Sequence, residues 1–293
     1  MSQFVQFIYS AFVLGSVFAT MAMGLSLVWG ALRMLNMAHG ALLMVGAYTA
    51  YFTSDQFGFS PLIGLLLAIV VGCGVGAALY PAIVRPLIGK PGWDINVIVA
   101  TVALALVLSQ LVQLLFGAKT KTLPRIVNGG FRGPADVFIE YQSLFIAGVA
   151  LATLGLMAVF LRRSRFGLAV RAVAQNLEGA RIIGLSIGAS NALILAVGSG
   201  LAALSGVLLA SGFIFITPTM GLAPLLKSLI IIILGGLGSV KGTVYAAFLA
   251  GAVESGVAIY VGATWSLPVL FAVVILVLLV RPKGFYGAKL RTA

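Results

Sequence analysis

Long apolar runs, each about the length of a bilayer crossing, alternate along the chain with short polar, glycine- or proline-containing breaks. Their hydropathy predicts nine spans, at about 5–31, 36–53, 61–84, 95–116, 142–161, 188–210, 224–238, 243–261 and 265–280. The runs are continuous rather than alternating, unlike the dyad pattern of a membrane β-barrel. The expected fold is therefore all-α, a polytopic membrane protein with a single transmembrane domain over 1–293. The run at 224–238 is short for a hydrocarbon core about 30 Å thick. It is expected to be a broken or partly re-entrant element, so eight to ten spans fit the pattern.

Composition strengthens this reading. Of 293 residues, 61% are hydrophobic and 8% are charged, against roughly 25% charged in soluble domains. The mean hydropathy is +1.18. No basic residue precedes the first run, so it is expected to be a retained span rather than a cleaved signal. Cys73 is the only cysteine, which excludes an internal disulfide.

The net charge of +12 would suggest nucleic acid in a soluble protein. Its placement argues otherwise. If the spans alternate, Arg33, Arg85, Lys90, Arg162, Arg163, Arg165, Arg171, Arg181, Lys241, Arg281, Lys283, Lys289 and Arg291 share one side. Lys119, Lys121, Arg125 and Arg132 fall on the other, beside Asp136 and Glu140. The positive-inside rule makes the first side cytoplasmic, with the N-terminus outside and the C-terminus inside. The basic excess is then a topology signal, and membrane lipid rather than nucleic acid is the expected surrounding. The loop 117–141 becomes the main external feature. Its Pro124, Asn128-Gly129-Gly130 and Gly133-Pro134 predict an ordered hairpin or cap.

Small residues are dense within the spans. Gly72-xxx-Gly76 and Ala247-xxx-Gly251 have the spacing that lets helix backbones approach closely, within one subunit or between two. Catalytic signatures are missing. No phosphate-cradling Gly-x-x-x-x-Gly-Lys-[Ser/Thr] loop and no metal-binding His/Cys cluster occur in the sequence. The chain is therefore not read as an enzyme, and no metal or cofactor is assigned to it.

One cytoplasmic segment, 162–187, breaks the apolar pattern. A helix is predicted from Gly167 to Gly184, with Leu168, Ala172, Val173, Leu177, Ala180 and Ile183 as its apolar stripe. Arg171, Gln175, Asn176, Glu178 and Arg181 flank it. Such a helix lies on a membrane surface or in a groove of a partner protein. Glu178-Gly179-Ala180-x-x-x-Gly184 resembles the Glu-Ala-Ala-x-x-x-Gly loop of ABC importer permeases, with Gly179 replacing the first alanine. That resemblance implies docking into a cleft of a separate ATP-binding subunit, with Arg171, Gln175, Asn176, Glu178, Gly179, Ala180 and Gly184 as coupling residues.

Two further segments narrow the resemblance. They are Gly24-Leu-Ser-Leu-Val-Trp-Gly30-Ala-Leu-Arg-Met-Leu-Asn36-Met-Ala-His39-Gly40, running on to Gly46-Ala-Tyr48, and Leu234-Gly-Gly-Leu-Gly-Ser239-Val-Lys-Gly242. Both look like the branched-chain amino acid ABC permease family, specifically its H-type (LivH-like) subunit. The family form commonly has an aromatic residue at Met37 and proline at Lys241. The resemblance implies half of a pore shared with a second, M-type permease. It also implies two cytoplasmic ATPases that bind ATP and magnesium, an extracytoplasmic substrate-binding protein, and a bacterial inner membrane. Implied substrates are branched-chain or other neutral amino acids, with urea, amides and aromatic acids as alternatives. An ion-gradient-driven secondary transporter is the rival class. It predicts paired intramembrane acids or helices broken at matched positions in two repeats. A channel is a third option, for which no filter motif is seen.

Five residues are candidates for the substrate pathway or a gate. Asn36 and His39 begin span two, where capping or an interhelical hydrogen bond is the simpler role. Glu254 lies deep in span eight and must face the interior or water. Lys227 is placed to snorkel or to attract a carboxylate. Thr217 belongs to a Pro218-broken turn suited to an outer gate. Gln110 and Gln113 share a face of span four and suggest interhelical hydrogen bonding.

Overall fold

In a computed structural model the described residues are 2–133, 136–212 and 215–286. Pro134, Lys289, Arg291 and the Leu177 side chain, all used in the reading above, lie outside them.

Each predicted apolar run coincides with a helix. In chain order these are α1 (Ser2–Leu32), α2 (His39–Phe57), α3 (Pro61–Leu79), α5 (Trp93–Phe116), α6 (Tyr141–Arg163), α9 (Ile187–Gly212), α10 (Leu222–Gly235), α11 (Val240–Tyr260) and α12 (Ser266–Val280). Between α3 and α5 come a π turn over Tyr80–Val84, which contains Pro81, a residue that cannot donate a backbone hydrogen bond, and a short α4 (Arg85–Leu87). Among the described residues, seven helical stretches are long and apolar enough to cross a membrane by length and composition. α10, at 14 residues, is the short element expected from the sequence. α2 is 19 residues long and ends in the polar run Thr53-Ser54-Asp55-Gln56.

α1 and α9 form the centre of the bundle. They run antiparallel: Leu14 and Phe18 stand near Leu209 at one end, and Val28 packs with Ile194 towards the other. They cross at glycines. A Cβ on Gly24 would fall 2.6 Å from the Gly198 carbonyl oxygen, and one on Gly198 would fall 2.9 Å from that of Gly24. Around this crossing the helices form two interlocked sets. α3 and α2 pack on α9, whereas α11 and α10 pack on α1. α5 covers α2 and α12 covers α10. The sets α1–α2–α3–α5 and α9–α10–α11–α12 thus repeat one arrangement in opposite orientation, the inverted-repeat plan of many transporters. The small-residue pairs serve this packing. Gly72 and Gly76 rest on Ser199 and Leu195 of α9, and Gly251 rests on Gly15 of α1.

Within 117–140, the described residues include the hairpin expected from the sequence. β1 (Gly130–Arg132) and β2 (Phe138–Glu140) pair antiparallel. Gln142, buried at the start of α6, accepts hydrogen bonds from the backbone N–H groups of Ile126 and Val127 at 3.1 and 3.0 Å. Lys121 and Ile216 exchange backbone hydrogen bonds of 2.9 Å, which tie this cap to the turn between α9 and α10.

Candidate functional site

The segment expected to be one helix is two. α7 (Arg165–Gln175) and α8 (Leu177–Ile182) are separated at Asn176, whose backbone is extended at φ −154° and ψ 105°. Asn176 ends one helix and caps the next: its Oδ1 accepts a 2.9 Å hydrogen bond from Gly179 N. Ser164 caps α7 in the same way through Gly167 N at 2.8 Å. The predicted stripe also changes. Val170, Val173 and Ala180 face inward, each at most 7% exposed. Leu168 and Ile183 point outward, joined by Phe166 and Ile182. The Asn176 break resets the helical phase, which a single periodicity cannot register.

Glu178 is exposed in the first turn of α8, and Arg171 and Gln175 are exposed on α7. Arg171 donates a 3.3 Å hydrogen bond to the Arg162 carbonyl. A Cβ on Gly179 would meet only the Asn176 side chain, at 3.3 Å. Gly184 adopts φ +79° with open space beside it and makes the left-handed exit from α8. The outcome is a short, capped helix at the basic end of the bundle. It shows one carboxylate and several apolar side chains to the outside, a surface suited to a partner protein.

The pathway candidates occupy two places. Asn36 and His39 were expected at the cytoplasmic end of span two, but they lie inside the bundle. His39 opens α2, and its Nε2 is 3.0 Å from the Met21 carbonyl oxygen. Met21 lies 11 residues before the end of α1, or about 16 Å along its axis. The chain achieves this by climbing back alongside α1 after Arg33, which takes φ +55°. Asn36 Oδ1 accepts from Ala38 N at 3.1 Å and shapes the turn. Both residues are 1% exposed, and these contacts are structural. Gly40 and Gly221, at the first turns of α2 and α10, touch backbone to backbone. The two inner helix starts therefore meet head to head, at matched breaks of the two repeats. Gln110 and Gln113 make no side-chain hydrogen bond to another helix among the described residues; they line a cavity of about 480 Å³ beside these starts.

Lys227 does not snorkel. Its Nζ donates to Glu254 Oε1 at 2.6 Å across α10 and α11, and their side chains are 18% and 16% exposed. The Lys227 ammonium also stands 5.2 Å from the centre of the Phe18 ring. Glu254 lies six residues before the end of α11, about 9 Å along the axis, rather than at its middle. Thr217 lines the same cavity as this pair. The sequence reading weighed the two charges separately and missed their pairing. The signal was present: the only deep lysine and the only deep carboxylate seldom stand alone in a membrane interior.

Interlocked inverted repeats, a partly buried ion pair, helix starts meeting inside the bundle and an exposed end helix define a multi-pass membrane protein of the transporter class. The chain belongs to the family described as branched-chain amino acid transport system / permease component, whose model matches residues 7–279. It is 29% identical over 296 residues to the high-affinity branched-chain amino acid transport system permease protein BraD of Pseudomonas aeruginosa, covering 97% of this chain and 96% of that protein. It is equally similar, at 29% with the same coverage, to the high-affinity permease protein LivH of Salmonella typhimurium. A probable LivH of Methanocaldococcus jannaschii is 26% identical over 94% of this chain and 90% of its own length. No solved structure matches.

Proposed function

We propose that the chain is the membrane permease of an ATP-driven importer and contributes half of a pore for branched-chain or other neutral amino acids. The observation that carries this reading is α8, a capped helix with exposed Glu178 and Gly179 at the basic end of the bundle. The charge placement makes that end cytoplasmic, with the N-terminus outside. ATP and magnesium belong to separate ATPase subunits that seat the α7–α8 segment through Arg171, Gln175, Asn176, Glu178, Gly179 and Gly184; Ala180, expected from the sequence to join them, is turned inward at 3% exposure and packs the helix against the bundle instead. A second, M-type permease completes the pore. An extracytoplasmic binding protein delivers substrate at the hairpin face, and the membrane is the bacterial inner membrane. The substrate class follows the names of the relatives, and BraD and LivH are both branched-chain amino acid permeases.

The matched breaks before α2 and α10 support a second reading, a transporter driven by an ion gradient. Proteoliposomes containing the two permeases separate the two readings. The importer predicts leucine uptake only with the cognate ATPases, ATP and the binding protein present. Uptake on a sodium or proton gradient alone would replace it with the second reading.

A further inference from the structure

The Lys227–Glu254 pair closes one wall of a partly open cavity of about 250 Å³ beneath the turn that carries Thr217. Its other walls are apolar: Leu14 and Phe18 of α1, Leu209 of α9, and Met220 before α10. The volume equals about eight waters at roughly 30 Å³ each, the scale of a small amino acid. The pair is not saturated. Of the three Nζ–H donors of lysine, Lys227 uses one, on Glu254 Oε1. Glu254 Oε2 is sealed from solvent and has no hydrogen-bond partner among the described residues.

We propose that this cavity is a binding subsite for a zwitterion with a short aliphatic side chain. Lys227 Nζ takes the ligand carboxylate, the Glu254 carboxylate takes the ligand ammonium, and the apolar wall takes the side chain. The inference rests on the proposed substrate class. The site is net neutral, so a zwitterion enters without unbalancing buried charge, whereas a ligand with one charge leaves an ion uncompensated. The two carboxyl oxygens exchange by rotation about a broad terminal torsion, so the position that meets the ligand is the one Lys227 now occupies, vacated as its ammonium turns to the ligand carboxylate. The Lys121–Ile216 bridge holds the turn above the cavity and keeps its mouth formed.

The test is chemical protection. Ala223, on the cavity wall, becomes cysteine in a Cys73→Ala background, within the assembled transporter in membrane vesicles without the binding protein. A small hydrophilic maleimide is the probe. Leucine at ten times its half-protecting concentration is expected to slow labelling about tenfold. Isovalerate, which lacks the amine, and isoamylamine, which lacks the carboxylate, are expected to slow it less than about twofold at that concentration. Protection by either analogue equal to that of leucine overturns the proposal. So does the absence of leucine protection in vesicles that still accumulate leucine with ATP once the binding protein is added, a result that leaves the importer reading intact. Leucine-specific protection in vesicles whose uptake ignores ATP supports the subsite and instead removes the importer reading. Glu254→Gln provides the second arm: it is expected to abolish leucine protection while unprotected labelling proceeds at the parent rate, and full protection in this variant also overturns the proposal.

Discussion

Breaking the Lys227–Glu254 pair should cost more than removing it. At 2.6 Å and an effective dielectric of about 20, the gross attraction is about 6 kcal/mol. Desolvation of both ions offsets most of that, so the net value of the intact pair is small. Lys227→Met leaves a mostly buried carboxylate without its counter-ion, and Glu254→Gln leaves a mostly buried ammonium. Each is expected to cost about 3 kcal/mol. Lys227→Met also loses the Phe18 contact, worth about 1 kcal/mol. The double variant removes both charges and should fall within about 1 kcal/mol of the parent. The coupling energy in the cycle is then about 6 kcal/mol, far above additivity. The assay is thermal unfolding of the detergent-solubilised permease, followed by fluorescence-detected size exclusion. Each single variant is expected to melt about 6–12 °C lower, with the double variant close to the parent. Singles that melt within a degree of the parent, or a double as unstable as the sum of the singles, would refute the reasoning.

Two further outcomes follow from the fold. Glu178→Arg with Gly179→Leu changes positions whose side chains meet solvent or only Asn176, so permease stability should move by no more than about 0.5 kcal/mol. Leucine uptake should nevertheless separate from ATP hydrolysis, or the ATPases should fail to co-purify; normal coupling would remove α8 as the docking element. Gly46→Val places a Cβ 2.5 Å from the Ala203 Cα, a backbone atom that cannot swing away, and should cost at least about 1–3 kcal/mol. Gly74→Val, with nothing within 4 Å, is its control. Equal melting temperatures for these two variants would contradict the packing of α2 on α9.

The helices were legible because each apolar run is long enough to need no context. The break at Asn176 was less so: asparagine is a common helix-flank residue, and only its hydrogen bond to Gly179 N reveals the cap. The depth of His39 was hidden for another reason. Hydropathy reports how apolar a segment is, not where along its neighbour it starts, and the climb from Arg33 to His39 is a tertiary event. For Gln110 and Gln113, helical spacing places two side chains on one face without saying what that face meets, and here it meets a cavity. The Lys227–Glu254 pair joins residues 27 apart and needed only the rule that deep charges seek each other. The interlocked repeats left little trace in the chain, since packing contacts rather than residue identity define their likeness.

Those contacts bear on how a motion of α8 would reach the interior. Between α8 and α9 only residues 183–186 intervene. The link is held by hydrogen bonds from Gly184 N to the Arg181 carbonyl at 3.1 Å and from Leu185 N to that of Ala180 at 3.0 Å. A link so short and bonded does not absorb a displacement of α8; it passes it to α9. α9 in turn meets α1 at Gly24, α2 at Gly46 and α3 at Gly72 and Gly76, where no side chain of the glycine intervenes to yield. Close-packed interfaces of this kind move as units rather than deforming continuously. The freedom that remains lies at the head-to-head starts of α2 and α10 and in the turn above the ion pair. The α7–α8 segment is inserted between the two repeats, immediately before α9, so under the proposed docking a push on α8 acts on one repeat against the other. This is the relative motion that alternating access requires.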